Sequence, residues 1–439
     1  MANRLILGAA AAIFAAAALL FGGVFRSSTP GAAGGDFLPE AVAAELAKGF
    51  AAGDTQAEIL GLQGELKLNS HNVKALDTLG LAYLQRVRDT GDPTYYPKAQ
   101  GILDEALQQA PHDLIATAGL GQLALSRHQF RKALDIGYEA KRISPTTAGV
   151  YGVIGDAEIE LGRYPQAIKS FNHMAALKPD VASYSRVSYA RELIGHIGAA
   201  ERAMRLAASA AVGEQEASSW THVQLGLLYL GHSQLKRALV QMDDALAFDP
   251  TYYVALDGMA QVQASLGHLR IAIDFEHTAV DRVPLPAQVA LLGDLYGVVG
   301  NHTAAKREYA LIAVIEKLLA ANGVRNDLDI ALFDADHDIA PAHLLTLARK
   351  GYTERPSIYG DDVLGWALAR SGRCNEALQW SNRSLRLGTK DALKDFHHGW
   401  IEACIGNRVE AAVWYRRALA LNPTFSILWA PVARKGAHA

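Results

Sequence analysis

Apolar residues recur along most of the chain at spacings of three and four, interrupted at short intervals by glycine, proline or a polar cluster. That pattern predicts consecutive amphipathic helices, each burying one stripe. A small residue marks the packing face of the trailing helix in each successive pair: Ala99, Ala133, Ala167, Ala238, Ala272, Ala305, Ala377 and Ala411. The interval is 34 for most neighbours, 33 for one, and about twice that where a weaker copy intervenes. Pro111, Pro145, Pro179, Pro250 and Pro284 close trailing helices at a shared phase. A fixed period of this length predicts an all-α chain, an α-solenoid of about ten stacked helical hairpins, not one globular core.

Each recurring residue has a mechanical cause. Glycine or alanine on one helix lets its partner approach closely, and an aromatic two turns away fills the wider part of the wedge. Proline after the trailing helix cannot continue it, so the chain turns into the next unit. Gly162, Gly267, Gly300, Gly372 and Gly406 are placed to end leading helices, where a left-handed cap costs glycine least. Two copies are weak. One runs from Tyr184 to about Ala211; the other follows Asn322-Gly323, and the stretch from Val324 to Asp329 is where a break in the stack is expected.

These residues resemble the tetratricopeptide repeat family over roughly Asn72 to Pro423, with Gly155 to Pro179 and Gly399 to Pro423 as the best copies. The resemblance implies a right-handed superhelix with a concave groove that binds peptides or assembles complexes. It points to a partner surface on the leading helices: Trp220, Leu227 and Leu230 in the fifth hairpin, with Tyr359, Asp362, Trp366, Arg370, Phe396 and Trp400 in the last two. Aromatics beside an arginine suit a binding hot spot. The lysine and asparagine clamp some members use for acidic peptide tails is not matched, since Asp77, Leu81, Ala118, Gln122, Gly152 and Asp156 hold the corresponding face.

The first residues read differently. Leu5 to Phe25 carry no charge, and as a helix they span about 31 Å, close to a bilayer's hydrocarbon thickness. Residues 1–25 are therefore expected to be a signal anchor, with the body outside the cytoplasm, or a signal peptide cleaved near Gly31-Ala32-Ala33. Residues 26–36 read as a flexible linker and 37–71 as capping helices. Residues 72–322 hold repeats one to seven, 323–423 repeats eight to ten, and 424–439 a tail that folds over the exposed end.

Composition narrows the functional classes. The 439 residues carry a formal charge of −3, which gives no basic footprint for nucleic acid. Cys374 and Cys404 fall toward one edge of the stack; contact between them is open, but two unpaired thiols are the expectation. Gly119-Leu120-Gly121 imitates a dinucleotide fingerprint yet lies on a leading helix, where close packing explains it. Asp334-Ala335-Asp336-His337-Asp338 lacks the glycine and glutamate of a calcium loop and reads as a solvated turn. Adjacent His397 and His398 point apart on a helix and do not share a metal. No catalytic residue, cofactor or metal site is assigned. The expected function is a non-enzymatic extracytoplasmic scaffold that binds a protein or peptide partner and helps assemble or stabilise an envelope complex. The alternative is a receptor-like module that binds an exported peptide or small ligand in its groove.

Overall fold

A computed structural model describes residues 55–339 and 341–438. Among these, all regular structure is helical. α1 (Thr55–Leu68) leads into hairpins of one leading and one trailing helix. The first five are α2–α3 (Val73–Thr90, Tyr95–Gln109), α4–α5 (Leu114–Ser126, Phe130–Ile143), α6–α7 (Ala148–Glu160, Tyr164–Leu177), α8–α9 (Val181–Leu193, Ile197–Ala210) and α10–α11 (Gln215–Gly231, Leu235–Phe248). Then come α12–α13 (Tyr253–Ser265, Leu269–Arg282), α14–α15 (Pro286–Val298, His302–Ala321) and α16–α17 (Asp327–His337, Pro341–Glu354). The last are α18–α19 (Ile358–Arg370, Cys374–Ser384) and α20–α21 (Ala392–Cys404, Arg408–Leu421), capped by α22 (Trp429–Gly436).

Local chemistry sets the helix ends. Asn72, Asp113, Ser357 and Asp391 start leading helices with side chains that accept backbone N–H groups of the first turn, and Asp180 forms a capping box with Ser183. All five predicted glycine caps have positive φ; His128 and Ser233 take that conformation without being glycine. The eight periodic alanines are buried to 3% exposure or less. Opposite them, glycine makes room for a large side chain sixteen residues on. A Cβ on Gly155 would lie 2.4 Å from the Phe171 ring, and one on Gly293 2.4 Å from Tyr309.

The stack also winds onto itself. The turn inside each early hairpin touches the turn between hairpins 192 to 197 residues later, just under six repeats on. Arg325 donates its backbone N–H to Arg127 O at 3.1 Å, and Gln129 Nε2 donates to Gly323 O at 3.0 Å. Ile358 N–H donates to the Tyr164 hydroxyl at 2.6 Å, Thr389 Oγ1 to Leu193 O, and Asn422 Nδ2 to Leu230 O at 3.1 Å. Glycine is needed at two of these crossings: a Cβ on Gly162 or Gly195 would fall 2.5 Å from Pro356 O or Gly388 O. The second turn thus seals against the first.

That sealing explains a difference between the two helix classes. Every residue of α6 is buried, and all of α18 except its last, because these leading helices are covered on all sides. Trailing helices such as α5, α9 and α13 bury one narrow stripe.

Two expectations need correction. Cys374 and Cys404 are joined in a disulfide, with Cα atoms 5.9 Å apart; the end of α18–α19's turn and the end of α20 meet at the same edge. The acidic run is no solvated turn: Asp334, Asp336 and His337 end α16, where Asp336 is 1% exposed. The stretch from Val324 to Asp329 is the loosest junction between consecutive helices among the described residues, at the place where a break was expected. The backbones of α15 and α16 scarcely touch there, and side chains bridge the junction: His337 Nε2 donates to Asp294 Oδ1 at 2.8 Å and the Tyr309 hydroxyl to the same oxygen at 2.7 Å. Burial would lower His337's pKa, yet the Asp294 and Asp336 carboxylates hold it above its usual value.

The anchor or signal at residues 1–25, the linker and the first capping helix lie outside the described residues; α1 is the second capping helix. Among the described residues no helix is long and apolar enough to cross a membrane.

Candidate functional site

Leading helices face the axis of the superhelix, so their inner side chains meet one another and the turns of the covering layer. The concavity expected to be an open groove is narrowed there by the contacts between the turns. Between the two turns lies a partly open chamber of about 380 Å³, walled by α8, α10, α12 and α20, the segment from Arg355 to Asp362, and the stretch before α22.

Ion pairs organise its edges. Arg355 comes from the later turn and pairs with Glu160 at the end of α6, Nη2 donating to Oε1 at 2.9 Å; its Nη1 lies 3.7 Å from Asp329. Burial works against the guanidinium, but Glu160 and Asp329 keep it firmly charged. The Tyr359 hydroxyl donates to Asp329 Oδ1 at 3.1 Å, and burial, opposed by Arg355, pushes Asp329 up to about 7. Beneath the chamber Arg186 donates to both oxygens of Asp156 at 2.7 to 3.0 Å. Lys394, 4% exposed, is held by Asp391 at 3.0 Å. Glu192 faces the same space, and burial, then the nearby Asp391, pushes it up to about 7.

Some polar groups of the lining have no protein partner. Asp362 is 5% exposed; its Oδ2 accepts from His397 Nδ1 at 3.0 Å, and its Oδ1 has none. His232 donates from Nδ1 to Leu228 O at 2.8 Å and leaves Nε2 bare. Gln224 Nε2 is bare as well. Leu227, Leu230, Met204 and Ile427 supply apolar wall between these groups.

The predicted partner residues divide. Leu227, Leu230, Tyr359 and Asp362 line the chamber. Trp220 is buried in the core of the fifth hairpin. Trp366 and Phe396 are fully buried in an aromatic cluster closed by Trp429, with Trp400 at its edge. Arg370 sits over the Trp366, Trp400 and Trp429 rings at 5.5 to 5.6 Å and pairs with Asp338. Trp366 and Phe396 build the C-terminal core, while Trp400 and Arg370 are partly exposed at its edge. Reading the sequence missed Glu160, Glu192, Gln224, His232 and Arg355, which acquire their setting only when the chain returns one turn later. A usable signal was present: charged residues on the inner stripe of otherwise apolar leading helices.

No family model matches the chain, and no curated protein matches it. Solved structures share its helical build. A thermophilic TPR protein of Thermus thermophilus is 23% identical, with 39% of this chain and 91% of that one covered and a TM-score of 0.36. YrrB, described as a TPR protein with an unusual peptide-binding site, is 17% identical over 43% and 95%, at 0.29. The human IFIT1 dimer with m7Gppp-AAAA is 15% identical over 87% and 89%, at 0.46. Likeness of this degree carries no argument about function. The class defined by the described residues is an α-solenoid of stacked helical hairpins. The Gly-to-aromatic wedge and the periodic alanine make those hairpins tetratricopeptide-like.

Proposed function

We propose that this protein is a non-enzymatic interaction scaffold, tethered by residues 5–25 with its body outside the cytoplasm, that helps assemble or stabilise an envelope complex. The observation that carries the reading is the sealing of one superhelical turn on the next. It makes the repeats a single spool that buries its leading helices and displays its trailing helices outward. Exposed apolar side chains stand on four consecutive trailing helices, at Leu206, Val240, Ile271 and Val314, and offer a protein partner apolar contact area. The Cys374–Cys404 bridge supports an oxidising compartment for the body. Crosslinking of the full chain in membranes tests the proposal. A protein captured by the wild type but not by Leu206→Asp or Val240→Asp supports it, and capture indifferent to both changes refutes it. Protease digestion of host spheroplasts tests location, and full protection of the body refutes it.

A second reading has its own observation. The chamber between the turns, with unpartnered polar atoms among apolar side chains, suits a receptor for a small ligand.

A further inference from the structure

The charges of the chamber wall answer one another. Arg355 pairs with Glu160 and lies over the Tyr359 ring at 4.4 Å. Lys394 is held by Asp391 and acts also on Asp362 and Glu192. Lys390 and Arg434 are exposed, and Arg434 Nη1 donates to Pro423 O at 2.8 Å. As many cations as carboxylates line the space, so a ligand of either charge would enter without a counter-charge left free inside.

The atoms that do lack partners are mostly uncharged. Gln224, Leu227, Leu228, Gly231 and His232 follow one another at helical spacing on a single stripe of α10 and its cap, and all five line the chamber. Gln224 Nε2 and His232 Nε2, at the two ends of the stripe, are bare, and buried polar atoms are almost always paired. His232 Nδ1 faces Leu228 O at 2.8 Å, a carbonyl that can only accept, so the neutral ring presents Nε2 as an acceptor. Gln224 presents a donor about 12 Å away along the helix. Leu227 and Leu228 between them, with Leu291 and Ile427 from other elements, supply apolar wall. Asp362 Oδ1 is bare too, but Lys394 answers its charge.

We propose that the chamber between the two superhelical turns binds an uncharged, elongated organic molecule with an apolar middle and an oxygen function at each end, one accepting from Gln224 and one donating to His232. This rests on the receptor reading of the interior. A hydroxyl at each end serves both atoms, because it donates and accepts. A charged end is disfavoured, because an ammonium or a carboxylate would give up its water for groups already paired.

Four probes of one chain length test the assignment on the full chain by calorimetry: 1,8-octanediol, 1-octanol, 8-amino-1-octanol as its ammonium ion, and 8-hydroxyoctanoate. The diol is expected to bind most tightly, and the two ions more weakly by about tenfold or more. Gln224→Leu and His232→Phe are each expected to weaken the diol by about three- to tenfold, the scale of one neutral hydrogen bond. 1-Octanol, with a single hydroxyl, responds to only one of the two. Leu227→Trp fills the chamber and removes binding of every probe. Equal or tighter binding of either ion, lost in Leu227→Trp, overturns the uncharged assignment and leaves the receptor reading standing. Diol affinity unchanged by both Gln224→Leu and His232→Phe overturns it in the same way. Absence of binding by all four, or binding unaffected by Leu227→Trp, overturns both.

Discussion

Arg355 Nη2 donates to Glu160 Oε1 at 2.9 Å across 195 residues of chain, joining the turn before the ninth hairpin to the leading helix of the third. Both side chains are buried. Removing Arg355 leaves Glu160 as a buried charge without its partner, and removing Glu160 leaves the guanidinium with Asp329 alone at 3.7 Å. Arg355→Ala or Glu160→Ala is expected to cost roughly 3–5 kcal/mol in denaturant unfolding. The apolar double variant Arg355→Met with Glu160→Leu recovers most of that loss. A double variant as unstable as the singles would refute the pairing as the source of the effect.

Asp336 Oδ1 accepts the indole N–H groups of Trp366 at 2.8 Å and Trp429 at 3.0 Å. The tail is thereby tied to the aromatic core. Trp429→Ala opens a cavity there and strips one donor from a buried carboxylate, for an expected loss of about 3–5 kcal/mol. Thermal unfolding measures it, and an unchanged melting temperature would contradict the role of α22 as a cap.

Two glycines on helices predict opposite signs. A Cβ on Gly155 would meet the Phe171 ring at 2.4 Å, whereas Gly101 has nothing within 4 Å. Gly155→Ala is expected to destabilise by about 1–3 kcal/mol. Gly101→Ala is expected to stabilise by up to about 1 kcal/mol through helix propensity alone. Paired urea melts decide both.

Asp257 and Glu276 lie buried together. Burial pushes Asp257 up to about 6, and burial with the Asp257 charge drives Glu276 well above the ordinary carboxyl range. The folded state therefore holds protons that the unfolded chain releases. Their contribution to stability is full below the unfolded carboxyl value and declines as pH rises through the folded values. Glu276→Gln should flatten this fall, so the variant gains on the wild type as pH rises above the unfolded carboxyl range. Parallel pH profiles would contradict it.

The hairpins were legible in the sequence because each depends on neighbours within 34 residues. Gly155 and Phe171, or Ala411 and Pro423, carry their cause within one repeat. The closure was not legible. Whether one turn rests on the next depends on small rotations summed over nearly six repeats, and no single residue states that sum. Trp366 and Phe396 therefore read as groove residues when the tail covers them, while Asp362 and Leu227 were placed on the inner face where they do lie. The disulfide was hidden for a related reason: Cys374 and Cys404 meet only through the relative height of two hairpins.

Spin labels at Arg131→Cys and Thr353→Cys probe the closure most directly. These residues sit on successive turns, where Arg131 Nη1 donates to Thr353 O at 2.6 Å, and the native cysteines are already bonded to each other. Double electron–electron resonance on the full chain is expected to give one short, narrow distance. A long or broad distribution would mean that the turns stand apart and the chamber between them does not exist.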